Sequence, residues 1–216
     1  MVKLKGKTSR LKHLMLFSII ANFWLDFSYA GIGEIASSLP STVETPIDIC
    51  FGKEDASVTI IEYSALNCPH CAHFHTTIFP KLKEKYIDTG QVKLIFRHFP
   101  IDHKAFTAAL VIVSLPADRR VKFLNEIFQN QDKYFGNDSD LKLSQLAGIK
   151  EADFKACIAN QDLQVQVLKQ RLTAEKNYHV EGAPTFFLEG KKYSGTLPLE
   201  EIDTVLSKKG LASKKG

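Results

Sequence analysis

Two cysteines stand two residues apart where a strand-forming run gives way to a helix-forming one. That junction restricts the folds open to the chain. "ASVTIIEYSA", Ala56 to Ala65, is β-branched and nearly unbroken in hydrophobicity, as expected of a strand covered on both faces. Cys68-Pro69-His70-Cys71 follows almost at once. From Pro69 to about Ile87 the apolar residues Phe74, Ile78, Leu82 and Tyr86 recur every fourth position, which predicts a helix. Pro80 lies inside it and predicts a kink, and Gly90 ends it. "QVKLIFRHF", Gln91 to Phe99, then reads as a second strand. The order is βαβ with the cysteines at the helix N-terminus. Sites in such units lie beyond the carboxyl ends of the strands, and the CPHC stretch occupies that edge.

After the second strand the pattern changes. Residues 101–179 hold successive amphipathic helical runs, "HKAFTAALVIVSL", "ADRRVKFLNEIFQNQ", "LKLSQLAG", "EADFKACIAN" and "QVQVLKQRLTAEKNY", and no convincing strand. Ser144 and Lys150-Glu151 mark helix starts. A stretch this long is a helical subdomain and not a connector. "APTFFLEGKKYSG" reads as two short strands turning at Glu189-Gly190, and "PLEEIDTVLSKKG" as a final helix with Leu199, Ile202, Val205 and Leu206 on one face.

The N-terminus belongs to export. Lys3, Lys5, Lys7, Arg10 and Lys12 precede the apolar run "LMLFSIIANFWL", and Ser28-Tyr29-Ala30 offers small residues for cleavage after Ala30. This is the pattern of a secretory signal peptide over residues 1–30; an uncleaved membrane anchor is the alternative, but the run is short for a span. Residues 31–46, rich in Gly, Ser, Thr and Pro, read as a flexible leader, and residues 211–216 as a solvated tail. The first thirty residues carry five Lys/Arg and one acid, which accounts for the whole formal charge of +4. The remainder is neutral, so charge points to no nucleic-acid partner. Export implies an oxidising compartment in which cysteine pairs form. Of the three pairings that four cysteines allow, the CxxC spacing favours Cys68 with Cys71 and leaves Cys50 with Cys157.

Three chemistries compete for CPHC. Zinc sites use two CxxC pairs or a spaced histidine pair, whereas His70, Cys71, His73 and His75 fall on different sides of one helix, so no metal is expected. A structural disulfide across two intervening residues closes too small a loop to stabilise much. Thiol–disulfide exchange fits best. Cys68 takes the helix N-cap, where amide N–H groups favour an anion, Pro69 suits the first helical position, and His70 adds positive charge beside the sulfur. Such nucleophiles have pKa values of roughly 3.5–7.5. Cys71, one turn in, suits the resolving role, while His73 and His75 read as polar surface residues. A depressed thiolate pKa stabilises the reduced form, so the disulfide becomes a better oxidant.

"IIEYSALNCPHC" and, much later, "VEGAPTFFLEG" resemble the DsbA-type members of the thioredoxin superfamily over about residues 45–210. The resemblance implies an α/β thioredoxin fold with an inserted all-helical subdomain: a first thioredoxin part over 47–100, the insertion over 101–179 and a second part over 180–210. It implies that Pro184 is cis, faces the CPHC and, with Ala183, pairs with substrate backbone. It matches Glu62 to a buried acid that handles the proton of the second thiol. His98 reads as a packing or hydrogen-bonding residue. The implied activity is a protein disulfide oxidoreductase, without cofactor, that introduces disulfides into reduced secreted or envelope proteins of the periplasm and is reoxidised by a membrane-embedded partner. A disulfide isomerase or reductase of the same superfamily, and a peptide-binding chaperone without turnover, are the alternatives. Ala183 departs from the β-branched residue common before the proline. The pair Cys50–Cys157 is extra, and as a disulfide it would clip the helical region to the base.

Overall fold

The computed structural model describes residues 39–211. The expected signal peptide, the first part of the leader and all but the first residue of the expected tail lie outside the described residues. Five strands, β1 (Ile49–Phe51), β2 (Val58–Ser64), β3 (Val92–His98), β4 (Thr185–Leu188) and β5 (Lys191–Ser194), form one sheet in the order β1-β3-β2-β4-β5. β2 and β3 are parallel and every other neighbouring pair is antiparallel. The expected thioredoxin-type sheet is present. Between β3 and β4 run six helices: α3 (His103–Ser114), α4 (Ala117–Gln129), α5 (Gln131–Phe135), α6 (Ser139–Ala147), α7 (Glu151–Ala159) and α8 (Gln161–Tyr178). α9 (Leu199–Lys208) closes the described chain. Among the described residues no helix is long and apolar enough to cross a membrane.

The sheet has two buried faces because side chains alternate along each strand. Ile60 and Glu62 of β2 stand in register with Leu94 and Phe96 of β3, and with Leu188 and Phe186 of β4. This face packs beneath the helix that carries the cysteines and beneath α3, α4 and α9. Ile61, Tyr63, Ile95 and Phe187 point the other way, toward Ala174 of α8 and Val180. Continuous hydrophobicity in "SVTIIEYSA" therefore records coverage on both sides. The hairpin turns as expected at Glu189 (φ 48°) and Gly190 (φ 79°), both left-handed as a tight two-residue connection requires.

The helix after Cys68 is not a plain α-helix. α1 (Pro69–His73) and α2 (Phe79–Leu82) are separated by a π-helical turn at Phe74–Ile78 and followed by another at Lys83–Ile87. Pro80 supplies no N–H to the ladder, and Phe79 N–H reaches back five residues to the Phe74 carbonyl. The wider turn shifts the helix phase. The buried positions are Cys71, Phe74, His75, Phe79, Leu82, Tyr86 and Ile87, while Ile78 of the expected every-fourth ladder is only half-buried. The single kink expected at Pro80 is thus a change of register spread over neighbouring turns.

Three other expectations need correction. β1 was not foreseen: Cys50 lies inside this strand, not ahead of the first one. Three residues are too few for an alternating pattern to show. α6 begins at Ser139, so Ser144 is interior and its hydroxyl donates to the Leu141 carbonyl at 2.8 Å. Finally, Cys50 and Cys157 are both free thiols. Cys50, opposite Ile95, faces the Tyr63 side of the sheet. Cys157, on α7, packs with the opposite core and donates to the Leu110 carbonyl of α3 at 3.4 Å. The sheet separates them, and no clip joins the helical region to the base there.

The last residues of the expected leader are held on the base: Arg97 Nη2 donates to the Val43 carbonyl at 2.9 Å, and Arg120 Nη1 to the Pro46 carbonyl at 2.7 Å. After β1 the chain turns at Gly52 (φ 102°), where a Cβ would sit 2.5 Å from the Val92 carbonyl oxygen. Gly52→Ala combines a left-handed alanine with a backbone clash. The expected loss is about 2 kcal/mol or more. Urea unfolding should show a lower midpoint at unchanged slope; an unchanged midpoint would remove this turn from the account.

Candidate active site

β2 ends at Ser64, and the chain passes through Ala65, Leu66 and Asn67 to Cys68, the N-cap of α1. Pro69 follows at the first helical position, where its missing N–H leaves no orphaned carbonyl. Cys71 N–H donates to Cys68 Sγ at 3.4 Å. The loop is tied at its far side as well. Gln131, at the start of α5, donates through Nε2 to the Leu66 carbonyl (2.7 Å) and the Cys68 carbonyl (3.0 Å). Asn67 Nδ2 donates to Asp102 Oδ2 at 2.8 Å.

The two sulfurs differ in access. Cys68 keeps 4% of its surface open and Cys71 none, so an incoming thiolate meets Cys68 first. They also differ in acidity. The Cys71 thiol as hydrogen-bond donor, the N–H groups of Cys71 and His70, and the His70 charge outweigh burial and lower Cys68 to about 6. Burial, the bond given to Cys68 and the negative charge of Glu62 push Cys71 well above the ordinary thiol range. Such a split suits a nucleophile paired with a resolving thiol. Pro69 and His70 are exposed, as an edge-facing motif requires.

Across the loop, the Ala183–Pro184 bond is cis, and Cys68 Sγ donates to the Ala183 carbonyl at 3.3 Å. The structure therefore brings Ala183 and Pro184 to the nucleophile although they are separated from it by more than a hundred residues. Pro184 is buried and leads directly into β4, the neighbour of β2.

Glu62 is fully buried on the face beneath the helix, between Phe96 and Phe186 in register. Its Oε2 lies 2.9 Å from Nε2 of His75, which is itself buried. His75 was expected on the surface, and that expectation fails: it follows Cys71 by four residues and shares the inward face. That spacing is the signal in the sequence that could have found it. His73, in contrast, is exposed as expected. Ser64, two residues after Glu62 on the same strand face, was also missed; it is buried, and its influence opposes the rise in the Cys71 pKa. His98 is a buried residue of β3 whose backbone N–H donates to Gln170 Oε1 at 2.6 Å. Burial lowers its ring to about 3, so it stays neutral and serves packing. Among the described residues no group of three or more metal-ligating side chains comes together.

The thioredoxin family model matches residues 44–208. A Rickettsia felis protein named as a protein-disulfide oxidoreductase is 33% identical over 172 residues, covering 74% of this chain and 59% of its own. A Bacillus cereus protein named for disulfide bond formation, protein D, is 34% identical over 149 residues, covering 64% of this chain and 68% of its own. Among solved structures, Wolbachia pipientis alpha-DsbA1 superposes with a TM-score of 0.67 at 30% identity, covering 77% of this chain and 92% of that one. Oxidised BdbD of Bacillus subtilis gives 0.68 at 26% identity, with 80% and 96% covered. The chain spans less than two thirds of the length of the Rickettsia relatives, 59% for the one from Rickettsia felis.

Proposed function

The chain belongs to the thioredoxin family and to its DsbA-like group, and from that membership we propose that it is an exported protein disulfide oxidoreductase that introduces disulfide bonds into reduced secreted or envelope proteins. The observation that carries the proposal is the placement of Cys68: a sulfur at a helix N-cap, lowered to about 6 and 3.3 Å from the carbonyl before cis-Pro184.

In the reaction, a substrate thiolate attacks Cys68 Sγ of the Cys68–Cys71 disulfide. A substrate–Cys68 bond forms, the Cys68–Cys71 bond breaks, and its electron pair stays on Cys71 Sγ, which takes a proton. A second substrate thiolate then attacks the substrate sulfur of this mixed disulfide and expels Cys68 as a thiolate. The substrate leaves oxidised by two electrons and the protein leaves reduced by two. The lowered pKa makes Cys68 a good leaving group and keeps the reduced enzyme stable. Ala183 and Pro184 hold substrate backbone beside the sulfur, His70 contributes positive charge, and Glu62 handles the Cys71 proton. Residues 1–30 direct export to the periplasm, and a membrane-embedded partner restores the disulfide.

Mixing the oxidised protein with a reduced, unfolded substrate tests this. Stoichiometric appearance of substrate disulfides is expected, together with an equilibrium against glutathione that favours the reduced protein. A pair that resists reduction by glutathione and is held reduced in cells would point to the isomerase or reductase reading.

A further inference from the structure

The contact between Glu62 and His75 is costly if its only role is packing. The pair is buried among Phe74, Phe79, Phe96 and Phe128, and the His75 ring stacks on Phe128 of α4 at 4.4 Å between centroids. Only one hydrogen bond links the two side chains. Glu62 Oε1 and His75 Nδ1 are both buried without a hydrogen-bond partner among the described residues. Two orphaned polar atoms in one aromatic enclosure are a burden that an apolar pair of similar volume would not carry. The unit also lies next to the one group whose reaction needs a proton in a dry interior: Cys71 follows the same helix face four residues before His75, and the charge of Glu62 bears on its thiol.

We infer that Glu62 and His75 share one proton and deliver it to Cys71 Sγ as the disulfide opens, with His75 as the positioning residue that keeps Glu62 supplied. This deepens the oxidoreductase reading and rests on it. With the proton aboard, the pair is neutral overall, as a carboxylate with an imidazolium or as a carboxylic acid with an imidazole. The electron pair of the breaking Cys68–Cys71 bond then develops on Cys71 beside a neutral neighbour. Proton transfer leaves a thiol at Cys71 and a carboxylate hydrogen-bonded to neutral imidazole, and the pair then regains its proton from solvent. On reoxidation Cys68 attacks the disulfide of the oxidant; the pair, having given its proton to solvent, takes up that of the Cys71 thiol, whose sulfur attacks Cys68 Sγ in the mixed disulfide and expels the oxidant's thiolate. Because the pair ends each half-reaction in its starting protonation state, it changes rates in both directions without altering where the redox equilibrium lies.

That property sets the test. In His75→Gln the side chain keeps a donor for Glu62 but cannot take up or release a proton. The rates of reduction by a dithiol peptide and of reoxidation should both fall, by roughly 10²-fold. The equilibrium constant against glutathione and the Cys68 thiolate titration should stay as in the wild type. The same loss is expected for Glu62→Gln, with the double variant no slower than either single one. Wild-type rates in His75→Gln, or a fall accompanied by a shifted equilibrium constant, would overturn the inference. Should the variant not fold, the wild-type protein decides: corrected for the thiolate fraction of the peptide, disulfide opening should be slower in D2O than in H2O, and equal rates would overturn the inference. A wild-type protein that exchanges no disulfides sinks the oxidoreductase reading, whereas exchange that ignores His75 sinks this inference alone.

Discussion

Cys68→Ser is expected to lose disulfide transfer completely, with the fold intact. The loss is one of stoichiometry and not only of rate: without Sγ at residue 68 the chain has no CPHC disulfide to give. Serine preserves the local structure. Its hydroxyl can accept the Cys71 N–H and donate to the Ala183 carbonyl, the two bonds that Cys68 makes through its sulfur. Serine is also a favoured N-cap residue, so the start of α1 should not fray. Thermal or urea unfolding of the variant should therefore match the wild-type reduced protein closely. Cys71→Ser is expected to behave differently. Cys68 remains accessible, but nothing within the protein can resolve a mixed disulfide, so substrate should accumulate covalently attached to residue 68. Non-reducing electrophoresis after mixing with a partly oxidised substrate reads both outcomes. If Cys68→Ser still hastened disulfide formation in a reduced protein, the exchange mechanism would be wrong and a non-covalent chaperone role would replace it.

The second large effect lies in the titration of reduced Cys68. Thiolate absorbance in the ultraviolet should show a transition near pH 6, about three units below an ordinary thiol. Because the folded value is depressed, the thiolate's contribution to the reduced protein is complete only above the ordinary thiol pKa, and it vanishes as pH falls through about 6. At pH 7 only the interval between 6 and 7 counts, about one unit, worth roughly 1.4 kcal/mol or about 30 mV in favour of reduction. Relative to an unperturbed dithiol, the pair should become more oxidising as pH rises above 6 and lose that advantage below it. The causes rank the variants. The hydrogen bond from the Cys71 thiol is the largest lowering influence and the His70 charge the smallest. Cys71→Ala should therefore raise the Cys68 transition more than His70→Ala does. Titration of Cys68 in the range of a free thiol would remove the physical basis of the proposed oxidase.

Much of the architecture could be read locally. CPHC between a doubly covered strand and a helix, the Glu189-Gly190 turn, and the helical periods over 101–179 each depend on neighbours within a few residues. The N-cap place of Cys68 was legible for the same reason, whereas the cis bond at Pro184 and its approach to Cys68 came from the resemblance, which joined the two distant stretches. What escaped was set by phase and by long-range contact. The every-fourth ladder assumed an unbroken α-helix; the π-helical turn displaced Ile78 and brought Phe79 inward. His75 looked polar and therefore exposed, but Glu62, on the sheet face beneath its helix, gave it a partner inside. Gln131 carries no motif at all, yet it holds the backbone of the CPHC loop from the helical region. Elimination among four cysteines paired Cys50 with Cys157, and an intervening sheet keeps them apart.

By itself the amino-acid order singled out Cys68 as the candidate nucleophile, because N-cap position, the following proline and the two-residue spacing act over a single helical turn. Only the tertiary structure decided how the second sulfur is controlled. Burial, the charge of Glu62 and the His75 contact arise where a strand face and a helix face meet, and the field in that enclosure depends on the distances between them, which no local pattern encodes.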